Sequence, residues 1–190
     1  MVESNLEFER QKRVINMMLT AHSVMRDHYR NISNIFNISL LVVSIFLNAL
    51  VFVSDNFFRS FGLNAEFAKL FLGIISVILL MLSVLGIMLN SKQKSENHSQ
   101  AFTQFFYLLN ETRDIEEIQD EAEKIMRIKL FALKYSQISG TLVPIPDKKF
   151  NRLKSIHLRK VEFSKFITNH PSKPYIIQKY LFLKHSMSEN

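Results

Sequence analysis

Apolar residues gather in two long blocks, and charged residues flank both. Between Arg30 and Asp55 run twenty-four residues without a charge, NISNIFNISLLVVSIFLNALVFVS, and between Lys69 and Lys92 run twenty-two more, LFLGIISVILLMLSVLGIMLNS. An α-helix rises about 1.5 Å per residue, so about 20 apolar residues cross a hydrocarbon core about 30 Å thick. The pattern predicts two transmembrane helices at about 33–54 and 69–90. A chain of 190 residues has little other protein with which to surround two such helices. The expected fold is an all-α membrane protein, a two-transmembrane helical hairpin whose long helices extend into a cytoplasmic helical region.

Outside these blocks the period is helical. Val14, Met18, Ala21, Met25, Tyr29 and Ile32 recur at spacings of three and four, and no proline or glycine interrupts Val2 to Phe61. The second block runs on without a breaker through SKQKSENHSQ and AFTQFFYLL toward Asn110, with Ser91–Ser99 as the place for a bend. A further helix is expected over about Asp114 to Ile138, with Ile115, Ile118, Ala122 and Ile125 on its apolar face. Acidic residues at 116–123 load its start and Lys124, Arg127, Lys129 and Lys134 its end. Gly140 is expected to stop it, and Pro144 and Pro146 to hold an extended loop. Asp147 is the expected N-cap of a basic helix, KKFNRLKSIHLRKVEFSKFITNH. A last segment follows Pro171 and Pro174, and SMSEN is expected to be loose. These elements group as residues 1–110, the N-terminal helix plus hairpin, and 111–190, a cytoplasmic helical region.

Charge sets the expected orientation. Arg10, Lys12, Arg13, Arg26 and Arg30 precede the first span and Lys92 and Lys94 follow the second, while the loop from Ser54 to Glu66 carries Asp55, Arg59 and Glu66. The positive-inside rule then puts both termini in the cytoplasm, with Phe57, Phe58 and Phe61 of a short outer loop at the headgroups. The first thirty residues lack the apolar core and cleavage site of a secretory signal, so the first span is expected to be retained. The net charge of +7 is assigned to the lipid surface rather than to nucleic acid, for which no motif is present. The chain has no cysteine, which excludes disulfides, thiolate metal sites and cysteine nucleophiles.

The informative polar residues lie inside the spans. Ser33, Asn37, Ser44 and Asn48 fall within an arc of about 60° at about 100° per residue. Ser76, Ser83 and Asn90 follow a heptad, flanked by Gly73 and Gly86. An amide facing lipid tails is unsatisfied, so both stripes turn away from lipid. They serve either close helix packing or, in an oligomer, the lining of a water-filled path. No charge sits at the centre of either span, which argues against a proton relay or voltage sensor.

Candidate chemistry adds little. His22, His28, His98, His157, His170 and His185 show no zinc spacing, and His157 is singled out for its place beside Arg159, Lys160 and Glu162. Four glycines make no phosphate loop, and the carboxylates at 111–123 read as a helix N-terminus. Four N-x-S/T matches, at Asn31, Asn37, Asn97 and Asn110, fall in a span or on the cytoplasmic side. No catalytic residue, metal or cofactor is expected. The basic helix, with Lys148, Lys149, Arg152, Lys154, Arg159, Lys160 and Lys165, is the candidate contact for anionic lipid or an acidic partner.

The layout of AHSVMRDHYRNIS leading into a first span, SENHSQAFTQFFYLLNE leaving the second, and PIPDKKFNRLKSIHLRK opening a basic helix resembles the SLATT family. The likeness covers about residues 10–170, with loose motifs around Tyr29, His98, Tyr107, Pro146, Phe150, Leu153 and His157. These are two-transmembrane proteins of bacterial conflict and anti-phage systems. The resemblance implies a non-enzymatic effector of the bacterial inner membrane. It would oligomerise and open a pore when triggered by a cytoplasmic sensor, nucleotide-signal or reverse-transcriptase partner. The reading from another class is a membrane-anchored scaffold that recruits a cytoplasmic partner.

Overall fold

The structure, a computed structural model, describes residues 2–52 and 64–188. These form six α-helices and no strand: α1 Val2–Val51, α2 Ala65–Leu89, α3 Ser91–Glu116, α4 Glu121–Thr141, α5 Asp147–Asn169 and α6 Tyr175–Ser188. The two helices long and apolar enough to cross a membrane are those expected, within α1 and α2. The loop with Asp55, Phe57, Phe58, Arg59 and Phe61 lies outside the described residues.

The helix ends correct several expectations. The Asn64 side chain accepts a hydrogen bond from the Glu66 backbone N–H at 3.0 Å and so caps α2. The expected run toward Asn110 is interrupted by one residue: Asn90 sits in the left-handed region at φ 48°, and α3 begins immediately after it. Asparagine tolerates this geometry better than most L-residues. The helix expected from Asp114 starts instead at Glu121, because Asp120 accepts the Ala122 N–H at 3.0 Å and nucleates a new end. The acidic run therefore straddles a helix break. Gly140 does not stop α4, which continues to Thr141. Leu142 is extended, and Pro144 bars helical backbone at the residue before it. Pro146, not Asp147, holds the cap position of α5, with no side-chain bond, and Asp147 acts through its charge in the first turn. The tail is helical as far as Ser188, beyond which residues 189–190 lie outside the described set.

Packing divides the chain into two compact units, Met1–Val24 with His98–Asn190, and Met25–Asn97. This differs from the expected grouping of 1–110 against 111–190. In the first unit Phe8, Ile15, Phe105, Leu108, Ile115, Ile128 and Phe131 form the core, with Met18, Leu19 and Tyr135 against it. Phe8 and Phe131 meet edge to face at 5.4 Å. Ile128 and Phe131 carry the buried face of α4, one to two turns beyond the expected Ala122 and Ile125, whereas Ile115 serves the same core from α3. Lys12 pairs with Glu116, and Lys134 with Glu111 at 2.6 Å. Phe163 and Phe166 of α5 hold Phe182 of α6 at 5.1 and 5.8 Å, and Gln178 donates to the His170 carbonyl at 2.7 Å.

The second unit holds the apolar stretches of α1 and α2. Only 6% of the residues in each stretch are buried, and Leu41, Phe46, Leu80 and Ile87 all stand more than half exposed. A buried leucine or phenylalanine gains about 1.5–3 kcal/mol, and here the chain supplies no such cover. Within the unit, Ser95 donates to the Arg26 carbonyl at 3.0 Å, and the Lys94 ammonium lies 5.9 Å from the centre of the Tyr29 ring.

Candidate functional site

The two polar stripes converge. Ser33 and Asn37 of α1 face Ser83 of α2, with Asn90 just beyond its end, across a cleft of about 300 Å³ that also touches Phe36, Leu40 and Gly86. Ser44 and Asn48 face Ser76 and Ser83 across a second cleft of about 340 Å³, floored by Leu40 and Leu47. Leu40 and Ser83 belong to both, so the clefts adjoin. All seven stripe residues named from the sequence thus line one polar seam between two apolar helices.

The seam is not zipped shut by its own polar groups. Ser76 donates backwards to the Leu72 carbonyl at 2.9 Å. Among the described residues no side-chain hydrogen bond crosses between Asn37 or Asn48 and α2, and both asparagines remain exposed. Phe36 and Gly86 hold the helices close at the first of these clefts. Small side chains admit that approach, but the amide glue expected of a packing interface is missing.

A different polar feature lies outside the sequence-based expectations. His22 of α1 and His98 of α3 are 2% and 3% exposed, with their Nδ1 atoms 3.0 Å apart. One ring must donate Nδ1–H to the lone pair of the other, so the pair is joined only when at least one ring is neutral. Burial, then His98, lowers the His22 pKa from its ordinary 6.5 to about 4, and burial, then Lys149, also lowers that of His98. The Phe105 ring stacks on His22 at 5.5 Å. The sequence does hold a signal: His22 lies one heptad after Ile15, and His98 precedes Ala101 and Phe105 on one helical face. His157, the histidine singled out by its charged neighbours, shares a hydrogen bond with the Thr20 hydroxyl at 2.9 Å, and burial, then Lys160, lowers its pKa.

The basic residues of α5 are placed as a surface. Lys148, Arg152, Lys154, Arg159 and Lys160 are exposed, and Lys149 is half-buried near His98. Lys154 and Arg159 border a groove shared with Phe182 and Leu183 of α6. No group of three histidine, aspartate or glutamate side chains suited to a metal occurs among the described residues. Compared with protein-family models, curated proteins and solved structures, the chain gives no significant match to any.

Proposed function

We propose that the two apolar helices cross a bilayer as a hairpin, that several copies assemble, and that the polar seam of each copy lines a path for water and ions. The observation that carries this reading is the convergence of Ser33, Asn37, Ser44, Asn48, Ser76, Ser83 and Asn90 on adjoining clefts that their own side chains do not bridge. An unpaired amide in hydrocarbon costs several kcal/mol, so lipid tails are a poor occupant for this seam. Water and the helices of another copy are good ones. A hairpin of two helices encloses no pore, so conduction requires oligomers. Flanking lysine and arginine favour cytoplasmic termini, and the family resemblance implies the bacterial inner membrane. An uncharged seam selects weakly among ions.

The role follows from the family resemblance: an effector of a bacterial conflict or anti-phage system, released by a cytoplasmic partner or signal to depolarise the cell. Expression with a membrane-potential dye tests it. Depolarisation is expected from the intact chain and should disappear in Asn37→Leu and Asn48→Leu at unchanged membrane protein level. Full function after replacing residues 33–90 by an unrelated two-span anchor would instead establish a scaffold.

A further inference from the structure

The charge of this chain is concentrated. Residues 147–188 hold ten of its 24 lysines and arginines but two of its 17 acidic residues, so that segment's +8 exceeds the +7 of the whole chain. Lys148, Arg152 and Arg159 fall within an arc of about 40° on α5 at about 100° per residue. All three are exposed, and among the described residues none is ion-paired. A solvated structural face of a helix usually mixes its charges, as α4 does with Glu123 and Arg127.

The helix that follows adds an apolar component. Ile176, Ile177 and Tyr180 of α6 are 81%, 47% and 66% exposed and share an arc of about 100°, with Lys179 beside them. Cations next to exposed isoleucine and tyrosine make the chemical profile of a segment that lies in a headgroup layer.

We infer that the α5–α6 hairpin docks on an anionic lipid surface, through Lys148, Arg152 and Arg159 for the headgroup charge and Ile176 and Tyr180 for the interface. This rests on the membrane reading above and gives the basic helix its partner. A second copy of the chain is the less suitable occupant, because its acidic cluster is partly consumed. Glu111 and Glu116 are paired with Lys134 and Lys12, and the Asp120 carboxylate caps α4.

The chain has no tryptophan, so Tyr180→Trp supplies a single reporter in the full-length protein. It is reconstituted into vesicles of phosphatidylcholine alone or with one third phosphatidylglycerol. Docking predicts blue-shifted emission shielded from acrylamide in the anionic vesicles only, lost at high salt, and not reproduced by inorganic phosphate added to the neutral ones. Each cation near an anionic surface contributes about fivefold, so the Lys148→Gln/Arg152→Gln/Arg159→Gln variant should weaken docking roughly a hundredfold. Lys148→Arg/Arg152→Lys/Arg159→Lys should retain it. Equal shielding in both vesicles would assign the surface to protein and overturn the inference, as would equal exposure in both. Flotation of the same samples reports insertion separately, so failure of docking is distinguishable from failure of the hairpin to enter the membrane.

Discussion

The Phe36 ring occupies the space that a Cβ atom on Gly86 would need, with its Cδ1 and Cζ carbons 3.0 Å from that position and Cε1 nearer still. Gly73, two heptads less one residue earlier on the same helix, has nothing within 4 Å of the equivalent point. The two glycines therefore differ in what they do: Gly86 sets the approach of α1 and α2, and Gly73 leaves an open surface. Gly86→Leu is expected to cost about 1–3 kcal/mol by overpacking and to widen the seam. Gly73→Leu is expected to leave stability within about 1 kcal/mol. Thermal unfolding of the detergent-solubilised protein checks both, and equal losses at the two sites would remove the distinction.

Asn90 separates α2 from α3 by its left-handed backbone and also borders the cleft that Ser33 and Asn37 line. The two roles can be parted. Asn90→Gly keeps the φ of 48° without strain, whereas Asn90→Val places a branched Cβ where it clashes, at a cost of about 1–2 kcal/mol. If depolarisation persists in Asn90→Gly, the backbone turn is what matters at this position; if it is lost with stability intact, the amide itself takes part in the proposed path.

The apolar helices and their polar stripes are legible in the sequence because both depend only on composition and the helical period. Asn37 and Asn48 are two of few amides in an apolar run, and facing α2 follows from their angle. Helix ends are less legible because they turn on single competing groups. Asp120 caps α4 some way beyond the helix start that the acidic run points to near Asp114, and Gly140 stays helical because the exit comes only where Pro144 bars helical backbone at the residue before it. The histidine pair is hidden because its members are seventy-six residues apart and belong to different helices. Zinc spacing is a pattern along one helix, where this pair has none. The grouping of Met1–Val24 with His98–Asn190 depends in the same way on long-range contacts such as Phe8 with Phe131.

Thr20 and His157 join α1 to α5 through one hydrogen bond of 2.9 Å in partly buried surroundings. Thr20→Val keeps the shape and removes the hydroxyl. It is expected to cost about 1 kcal/mol, the net worth of an ordinary hydrogen bond plus part of the desolvation left on His157. His157→Leu in the Thr20→Val background should cost less than His157→Leu alone. A double-mutant cycle by thermal unfolding measures the coupling, and strict additivity would show that the bond contributes nothing.

The His22–His98 pair makes stability depend on pH in a definite direction. In the unfolded chain His22 takes up a proton near its ordinary 6.5, but in the folded protein it does so only at about 4. Between these values the unfolded state binds more protons, so stability falls as pH drops from about 6.5 toward 4 and levels off below. At about 1.4 kcal/mol for each pH unit of that window, His22 accounts for a loss of roughly 3 kcal/mol. The lowered pKa of His98 adds to it in the same sense. His98→Leu alone leaves the buried His22 Nδ1 without its partner and should cost about 1–3 kcal/mol at neutral pH. His22→Leu/His98→Leu removes both polar groups, so it should recover much of that loss. It should also flatten the acid limb of the unfolding profile, leaving the part due to the lowered pKa of His157. An acid limb as steep in the double variant as in the parent would locate the proton uptake elsewhere in the chain.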